Sequence, residues 1–286
     1  MYTIKQAALR SGVDASLIRA WERRYGVVSP ERSASGYRLY TDQEIARLRA
    51  MRELIERGWS AAQAATALPG QPSAGAEVAS ALPSPAPPDL VAAAARYDLA
   101  AVEDALDGLF GRGSFEAVID DLVLPAAARL GQAWEDGVID VAAEHLASSA
   151  VLRRLSALFD MAGVAGNGHG VLVGLPPGSR HELGALAFAV ALRRMGVDVL
   201  YVGPDVPVAS WVAAAAESAA QAAVIGVVTS GDVEPATKVA TALRAARPDL
   251  LLATGGASAE ELHVDGATVL PARVVDAARA IRGRLR

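Results

Sequence analysis

The 286-residue sequence predicts a multidomain α and α/β protein: a winged helix-turn-helix, a four-helix bundle and a doubly wound, Rossmann-like α/β domain. Three observations support this fold class. Helix-start signals and a basic hairpin segment fill the first part of the chain, apolar positions at helical spacing fill the middle, and apolar runs alternate with Ala-rich stretches in the last part. A stretch rich in Pro, Gly, Ser and Ala follows the first part and is typical of a flexible linker. We therefore expect the following segments in chain order: 1–68, the linker 69–88, 89–165 and 166–286.

Capping residues precede each predicted helix of the first segment, the head. The predicted helices are 4–11 after Thr3, 15–25 after Asp14, 42–57 after the capping box of Thr41 and Glu44, and 61–68 after that of Ser60 and Gln63. Residues 26–40 are predicted to form a loop with a short hairpin. The head is therefore expected to run helix, turn, helix, wing, helix, helix.

Apolar periodicity distinguishes the two later segments. Between 89 and 162 the helical spacing of apolar residues breaks near Arg96–Asp98, Arg112–Ser114 and Asp136–Gly137, which predicts a small helical bundle. From Gly170 onward, short apolar runs predict buried parallel strands joined by helices. These runs are 171–175, 197–202, 223–228, 250–253 and 267–270.

Composition restricts the class of protein. With 52% hydrophobic and 21% charged residues and a net charge of −5, the chain can bury sizeable cores. Residues 1–68 hold eleven Lys and Arg against seven Asp and Glu, a net charge of +4, whereas 69–286 hold sixteen against twenty-five, a net charge of −9. A basic head on an acidic remainder suggests a nucleic-acid-binding segment joined to a domain with another task.

The absence of cysteine excludes disulfides, thiolate zinc sites, iron–sulfur clusters and cysteine nucleophiles. Any metal must be held by His, Asp or Glu, and the four histidines are His145, His169, His181 and His263. No run of about 18 uncharged apolar residues occurs, and the segment MYTIKQAALR lacks the apolar stretch of a signal peptide. We expect a cytoplasmic protein with no membrane partner.

Arginines and aromatic residues crowd the second predicted helix and the wing of the head. A recognition helix in the major groove, with a basic hairpin along the flanking backbone, would use such residues. The alternative is that Trp21 and Tyr25 belong to the core and the arginines form a solvated face. The segment IRAWERRYGVVSPERSASGYRLYTDQEIARL, within 2–68, closely resembles the MerR family of transcriptional regulators. That resemblance implies that the following residues contact double-stranded operator DNA or orient the wing: Arg19, Arg23, Arg24, Tyr25, Tyr37, Arg38 and Tyr40.

MerR-type proteins bind as dimers to inverted half-sites, and many dimerise through a long coiled coil. This chain has a linker and a different body in place of that coiled coil. The resemblance therefore implies a homo-oligomer, a dimer or a tetramer, whose contacts come from the later domains.

His181 stands in GLPPGSRHELG, at the predicted carboxyl end of the first strand, where open α/β sheets bind ligands. Taken alone, it is more often a surface histidine. The segment resembles the cobalamin-binding motif DxHxxG, which implies that His181 is the lower cobalt ligand and that Gly184 lets the nucleotide tail pass. Ser179 replaces the acidic residue of that motif, which orients the imidazole; Glu182 would substitute only with a different loop geometry.

The same family has a Ser or Thr after the third strand and a Gly-Gly after the fourth, both lining the channel for the nucleotide tail. Thr229 and Ser230, in VVTSGDVEP, and the pair Gly255 and Gly256 match those positions. More than one hydroxyl in that segment fits the pattern. Taken alone, a Gly-Gly after a strand is usually a turn.

In the bundle, Trp134 precedes a Glu–His pair by ten residues. A core tryptophan and a surface pair are the ordinary interpretation. This W-x9-EH pattern and the order of domains resemble the CarH/LitR photoreceptor family. The resemblance implies that the upper face of adenosylcobalamin is covered by Trp134, Val141, Glu144 and His145. It also implies a non-enzymatic repressor, without catalytic residues, that binds DNA as a dark oligomer and is released when light breaks the cobalt–carbon bond.

Glu135 departs from those family members in which a His follows the Trp and becomes the upper cobalt ligand after photolysis. A carboxylate cannot form that bis-histidine adduct, and His145 is the nearest candidate in sequence. Two alternatives therefore stay open. One is a regulator that senses cobalamin or another tetrapyrrole without this photochemistry, and the other is a corrinoid methyl-carrier module of an enzyme.

Overall fold

The computed structural model describes residues 1–13, 15–32, 38–56, 64–65, 68, 89–163, 170–218 and 220–285. The predicted linker at 69–88, most of the helix predicted at 61–68, and the residues Asp14, Tyr37 and His169 lie outside these ranges. Within the described ranges the chain divides into two compact units. One comprises Met1–Asp89 and Asp104–Val118, and the other comprises Leu90–Glu103 and Ile119–Arg286.

The head is a winged helix-turn-helix, as predicted. Its helices are α1 (Ile4–Ser11), α2 (Ala15–Tyr25) and α3 (Asp42–Glu56), and its strands are β1 (Tyr2–Thr3), β2 (Glu31–Arg32) and β3 (Arg38–Tyr40). Thr3 and Gln6 form the capping box that starts α1, and Gly12 ends it in the left-handed conformation with φ of 70°. Strand β1 was not predicted. It pairs with β3 in antiparallel fashion, with Tyr2 opposite Tyr40.

Apolar side chains from all three of these helices fill the core of the head, and α1 contributes the small residue Ala7. Ile18 and Trp21 of α2 and Leu48 and Met51 of α3 are buried together with Tyr40 of the wing. Trp21 is therefore a core residue. Because α2 is fixed through Ile18 and Trp21, its remaining surface is free to carry charged side chains.

The helical part of the chain consists of α4 (Leu90–Ala95), α5 (Leu99–Phe110), α6 (Phe115–Val118), α7 (Leu124–Glu135) and α8 (Val141–Met161). The turns fall where the sequence predicted breaks. A π-helix over Ile119–Val123, which precedes α7, was not predicted. Helix α8 starts at Asp140, whose side chain accepts a hydrogen bond of 2.8 Å from the backbone N–H of Ala143.

The last part is a doubly wound α/β domain, as predicted. Its strands are β4 (Gly170–Gly174), β5 (Asp198–Gly203), β6 (Ala220–Gly226), β7 (Leu251–Gly255) and β8 (Ala267–Val269), and its helices are α9 (Leu183–Arg194), α10 (Val208–Glu217), α11 (Val233–Ala246) and α12 (Val274–Arg282). The strands are parallel, in the order β5-β4-β6-β7-β8. This order reverses between β4 and β6, so the ligand crevice of such a sheet lies beyond the carboxyl ends of those two strands.

Register and burial fix the sheet. Leu172 of β4 lies opposite Leu200 on one side and Ala223 on the other. Leu172 and Ala223 are fully buried in a core that also holds Trp211 of α10. Because parallel strands are covered on both faces, β4 and most of β6 are apolar, which is why the apolar runs predicted them.

Two sets of polar contacts join the helical part to the α/β domain. Asp120 in the π-helix accepts hydrogen bonds from the backbone N–H groups of Val274 and Val275 at 2.8 and 3.1 Å. It thus caps the N-terminus of α12, although it is distant from that helix in sequence. Asp121 forms a bidentate ion pair with Arg273.

The second set centres on Arg193 of α9. Its guanidinium donates to the carbonyl oxygens of Phe159 and Val199 and stacks on the Phe159 ring, 3.4 Å from the ring centroid.

The described residues contain no helix that is long and apolar enough to cross a membrane.

Candidate functional site

His181 lies in the loop between β4 and α9, at the switch point of the sheet, and its side chain is exposed. The loop is held by Asp205, which lies two residues after the end of β5. Asp205 donates its backbone N–H to the carbonyl oxygen of Ser179 at 2.9 Å, and its carboxylate accepts the N–H of Gly178 at 2.7 Å. Asp205 itself adopts the left-handed conformation, with φ of 53°. The loop before His181 is thus fixed, while the imidazole stays accessible.

Thr229 and Ser230 lie in the loop after β6, the other strand at the switch point, and both are exposed. The loop closes as a capping box in which Asp232 accepts hydrogen bonds from the backbone N–H groups of Val228 and Thr229 at 3.0 and 2.8 Å. The structure therefore places the predicted hydroxyls at the same edge of the sheet as His181.

Asp232 is a residue of this edge that the sequence reasoning missed, although its T-x-x-D spacing is a signal that could have found it. Its side chain is 5% exposed, and Ser179 beside it is 1% exposed. Burial alone would raise the pKa of Asp232, but hydrogen bonding from Thr229, Ser179 and Val228 outweighs burial and lowers the pKa. The carboxylate therefore stays ionised.

The Ser179 hydroxyl helps to lower the pKa of Asp232, but in the described part of the chain its buried Oγ does not meet the geometry of a hydrogen bond to any group. Glu182, the acidic residue considered as a substitute, faces elsewhere and accepts a hydrogen bond of 3.1 Å from the Tyr201 hydroxyl. Burial, followed by the charge of Glu182 and this hydrogen bond, raises the pKa of Tyr201. The carboxylate beside Ser179 is Asp232.

The glycines have two different roles in the structure. A Cβ added to Gly256, whose φ is 117°, would lie 2.3 Å from the carbonyl oxygen of Val227, so this glycine is required by backbone packing. A Cβ on Gly255 would make only ordinary contact with Leu270 at 3.9 Å. Gly184 borders open space, with no heavy atom of the described structure within 4 Å of an added Cβ.

Thr254, next to the Gly-Gly pair, carries an orphan hydroxyl. Its side chain is 1% exposed, and its Oγ1 is buried without a hydrogen-bond partner among the described residues. A buried hydroxyl without a partner is costly, so such a group is expected to acquire a partner when the site is filled. Sequence reasoning did not single out Thr254.

In the helical part, Trp134 and Val141 flank the α7–α8 turn together with Val138. These three apolar side chains are between 47% and 66% exposed. Glu144 is half-buried, and its carboxylate lies 2.6 Å from Nδ1 of the exposed His145. Exposed large apolar side chains close together mark a surface that a partner or ligand covers. Glu135 on the same turn is exposed.

Tyr97 joins this region from the α4–α5 turn. It adopts the left-handed conformation, with φ of 53°, at a helix C-terminus where glycine is preferred. Its hydroxyl donates a hydrogen bond of 2.5 Å to Asp140, the residue that caps α8. The pair thus ties the start of α8, and with it Val141 and Glu144, to the α4–α5 turn.

The predicted DNA-contact residues of the head occupy α2 and the wing. Arg19 is exposed on α2, which also contains Arg23, Arg24 and Tyr25; the side chains of Arg23 and Arg24, and all of Tyr37, lie outside the described part. Arg38 is half-buried and directs Nε to both carboxylate oxygens of Glu22 at 3.0 Å. This hydrogen bond, with the charge of Glu22, raises the pKa of Arg38.

Tyr40 is fully buried, and its hydroxyl lies 3.5 Å from the Glu22 carboxylate. Burial, followed by the charge of Glu22, raises the pKa of Tyr40 to about 12. Of the two expected roles, contact with DNA and orientation of the wing, a side chain in this position can perform only the second.

Two family models match the chain. Residues 2–71 match the model of the MerR HTH family of regulatory proteins, and residues 89–159 match the model of a B12 binding domain. The first match covers the winged helix-turn-helix, and the second covers the helical part.

Two curated transcriptional repressors of Myxococcus xanthus are similar over most of their length. CarH is 39% identical over 215 residues, which cover 72% of this chain and 72% of CarH. CarA is 31% identical over 209 residues, which cover 72% of this chain and 69% of CarA. The monomethylamine corrinoid protein of Methanosarcina barkeri is similar in structure, with a TM-score of 0.54, 15% identity and coverage of 68% of this chain and 93% of that one. At that identity the likeness shows a shared fold alone.

Proposed function

Because the chain belongs to the family of the transcriptional repressors CarH and CarA, we propose that it is an adenosylcobalamin-dependent, light-responsive repressor. It is a transcription regulator rather than an enzyme, with a MerR-type head and a B12 binding domain. In the dark it would bind double-stranded operator DNA as a homo-oligomer, and illumination would release it. We further propose that the head, linker, bundle and cobalamin domain follow the predicted boundaries 1–68, 69–88, 89–165 and 166–286.

The observation that carries the proposal is the position of His181. It is an exposed imidazole at the switch point of the sheet, where it can serve as the lower ligand of a cobalt ion. The described residues contain no cluster of three or more His, Asp or Glu side chains that could hold a bare metal ion. A corrin supplies the other nitrogen ligands itself, so one histidine is sufficient.

The other residues of the edge also fit a cobalamin. The open space at Gly184 and the orphan hydroxyl of Thr254 are suited to a buried tail that needs both room and a hydrogen-bond partner. We propose that Thr229, Ser230, Gly255 and Gly256 line the same channel, with Gly256 acting through the backbone. When bound, adenosylcobalamin supplies a cobalt–carbon bond that visible light breaks.

We propose that Trp134 and Val141 cover the adenosyl group and that Glu144 and His145 border it. The exposed apolar side chains of the α7–α8 turn support this, because burial against an adenosyl group would remove them from water. His145 keeps Nδ1 against Glu144, which leaves its Nε2 as the nitrogen that could face a ligand. This residue, and not Glu135, would then approach the upper face.

Thermodynamic linkage would couple cofactor binding to DNA binding through the assembly of the oligomer. A ligand shifts assembly only if it binds the assembled state more tightly than the dissociated one, and loss of the adenosyl group would remove that preference. Several linked heads bind one operator far more tightly than a single head does. We propose that Arg19, Arg23, Arg24, Tyr25, Tyr37 and Arg38 contact the DNA and that Tyr40 holds the wing.

Size-exclusion chromatography of the full chain with adenosylcobalamin, in darkness and after green light, tests this function. We expect a cobalamin-bearing oligomer in the dark and a smaller species after illumination. Hydroxocobalamin, which has no cobalt–carbon bond, is the control and should give no light-dependent change in size.

Glu135 favours a second candidate, a regulator that senses cobalamin or another tetrapyrrole without this photochemistry. Its exposed carboxylate offers no nitrogen for an upper ligand at that position. Binding of adenosylcobalamin with the same elution volume in dark and light would select this candidate. Absence of cobalamin binding would leave a MerR-type regulator with another ligand.

A further inference from the structure

A metal-bound histidine almost always donates its second ring N–H to a carboxylate, a carbonyl or a water, and this partner fixes the tautomer and the ring orientation. In this chain the residue two positions before His181 is a serine, whose hydroxyl cannot by itself supply the negative charge of a carboxylate. The structure supplies that charge from another loop: β4 pairs with β6, and Ser179 and Asp232 lie in the loops that follow these two strands, both of them buried. Hydrogen bonding from Ser179 is also one cause of the lowered pKa of Asp232.

Both side chains are built into the edge of the sheet. The backbone of Ser179 is fixed on both sides, because its carbonyl accepts the N–H of Asp205 and its N–H donates to the carbonyl of Pro176 at 3.1 Å. The Asp232 hydrogen bonds from Val228 and Thr229 both end on Oδ2, which leaves Oδ1 without either of them. A serine with a fixed backbone and a buried hydroxyl thus lies at the same edge of the sheet as a carboxylate oxygen that these backbone groups do not use.

Glu182 and Asp205, two other acidic residues at this edge of the sheet, accept hydrogen bonds from other groups. Glu182 accepts from the Tyr201 hydroxyl, and the Asp205 carboxylate accepts from Gly178. A hydroxyl has one proton to donate and two lone pairs to accept with. Ser179 Oγ, which is buried and meets the geometry of a hydrogen bond to no described group, is therefore able to donate to Asp232 and to accept one further N–H at the same time.

We propose that Asp232 is a positioning residue for His181 and acts through the Ser179 hydroxyl. The imidazole donates Nδ1–H to Ser179 Oγ, Ser179 donates its proton to Asp232, and Nε2 is left to the cobalt. Asp232 thus supplies the negative charge that a carboxylate at position 179 would supply, and the Ser179 hydroxyl connects it to the imidazole ring. This inference rests on the proposed function, because it needs His181 to be the cobalt ligand.

The test compares the full chain with four sets of variants, all kept dark with adenosylcobalamin. Asp232→Asn removes the charge but keeps an oxygen for Val228 and Thr229, and Ser179→Ala removes the hydroxyl but leaves Asp232 in place. The same two changes are made on His181→Ala. The exchange Ser179→Asp with Asp232→Ser moves the carboxylate beside the ring, and Asp249→Asn, an acid-to-amide change on the surface, is the matched control.

Affinity is measured by equilibrium dialysis, and the absorbance spectrum of the bound adenosylcobalamin reports whether cobalt carries a lower axial nitrogen. We expect Asp232→Asn and Ser179→Ala each to lower affinity about tenfold and to increase the spectral fraction without that nitrogen. Neither change should have an effect on the His181→Ala background. The exchange variant should regain at least wild-type affinity, and Asp249→Asn should match wild type.

Two results would overturn the inference alone: wild-type affinity and spectrum for Asp232→Asn, or an equal loss of affinity on the His181→Ala background, which would mean that Asp232 acts only on the fold. Circular dichroism of each variant checks that it is folded. A wild-type chain that does not bind adenosylcobalamin would overturn the proposed function and this inference together, so the two failures are distinguishable.

Discussion

Tyr97 donates a hydrogen bond to Asp140 across the helical part of the chain, from a backbone conformation that a tyrosine rarely adopts. This bond is the largest cause of a raised pKa for Tyr97 and of a lowered pKa for Asp140. Since Asp140 caps α8, the left-handed turn at Tyr97 helps to fix the helix that presents Val141 and Glu144.

The two pKa shifts predict how stability depends on pH. The lowered pKa of Asp140 gives a contribution that is present above the unfolded value of about 3.9 and is lost as the pH falls through the folded pKa. The raised pKa of Tyr97 gives one that is present below about pH 10 and is lost as the pH rises through the folded pKa. Tyr97→Phe should therefore lower the melting temperature at neutral pH. It should also weaken the dependence of stability on pH in both the acid and the alkaline range.

Thermal unfolding followed by circular dichroism at several pH values checks this, with Asp140→Asn as the control. Asn keeps the cap and can accept from Tyr97, but it has no acid titration and no charge. The dependence at low pH should therefore disappear, whereas that at high pH, which the hydrogen bond mainly causes, should remain in part. A Tyr97→Phe protein with the pH profile of the wild type would show that the bond is unimportant in solution.

Arg38 is expected to contribute to DNA binding through its charge and to the wing through Glu22. Arg38→Ala should weaken operator binding and reduce the slope of log affinity against log salt by about 0.9 for each phosphate that the variant no longer neutralises. Arg38→Lys keeps the charge and should retain more of the slope. Fluorescence anisotropy over a salt series measures both. Wild-type affinity and slope for Arg38→Ala would show that this residue does not touch the DNA.

His181→Ala should weaken retention of adenosylcobalamin while leaving the weak DNA binding of the apo chain unchanged, because the head does not depend on the ligand. His263→Ala is the matched control, since His263 is also exposed in a loop of the α/β domain. Desalting followed by absorbance gives the cofactor retained per chain. Equal retention by the two variants would refute the assignment of His181 as the cobalt ligand.

Substitutions at Gly255 and Gly256 should have different effects, one on ligand binding and the other on the stability of the fold. Gly256→Ala forces a Cβ against the Val227 carbonyl and a side chain into a conformation with φ of 117°, so it should cost several kcal/mol, on the order of 3 or more. Gly255→Ala should fold almost normally and, with a methyl group at the channel, bind cobalamin less tightly. Urea unfolding gives the first quantity and equilibrium dialysis the second. Similar stability for both variants would contradict the backbone role of Gly256.

Asp120 stabilises the α/β domain from the helical part. Asp120→Ala leaves the N–H groups of Val274 and Val275 without their acceptor, and loss of a cap of this kind typically costs about 1 kcal/mol. Asp120→Asn should recover much of that loss. Asp121→Ala removes only an exposed ion pair with Arg273 and should cost less. Urea unfolding at fixed pH ranks the three variants, and an equal cost for Asp120→Ala and Asp121→Ala would refute the cap.

The regular elements could be predicted from the sequence because their signals are local. The capping boxes at Thr3 and Thr41 mark helix starts, and the apolar runs match β4 to β8, although β6 begins at Ala220, earlier than its run predicted. Strand β1 was missed, because two residues show no alternation and depend on pairing with the wing. The π-helix gives no periodic signal of its own.

The position of His181 at the strand end could also be predicted, since topology places all carboxyl ends of parallel strands at one edge. The partners of the site could not. Asp232 reaches Ser179 from 53 positions along the chain, Asp120 reaches Val274 from 154, and sequence spacing carries no information about such pairs. Likewise, nothing local shows that Glu182 is occupied by Tyr201 or that Tyr40 is buried.

The attachment of α8 at Arg193 has a mechanical consequence. Phe159, where Arg193 holds the helix, lies 18 residues after Val141, or roughly 27 Å along the helix axis. The helix thus joins two attachment points, Phe159 near its end and Asp140, bonded to Tyr97, at its start. A rotation of about 5° at Arg193 would move Val141 by roughly 2 Å, enough to separate two side chains in van der Waals contact, and the Tyr97–Asp140 hydrogen bond is the contact that opposes such a movement.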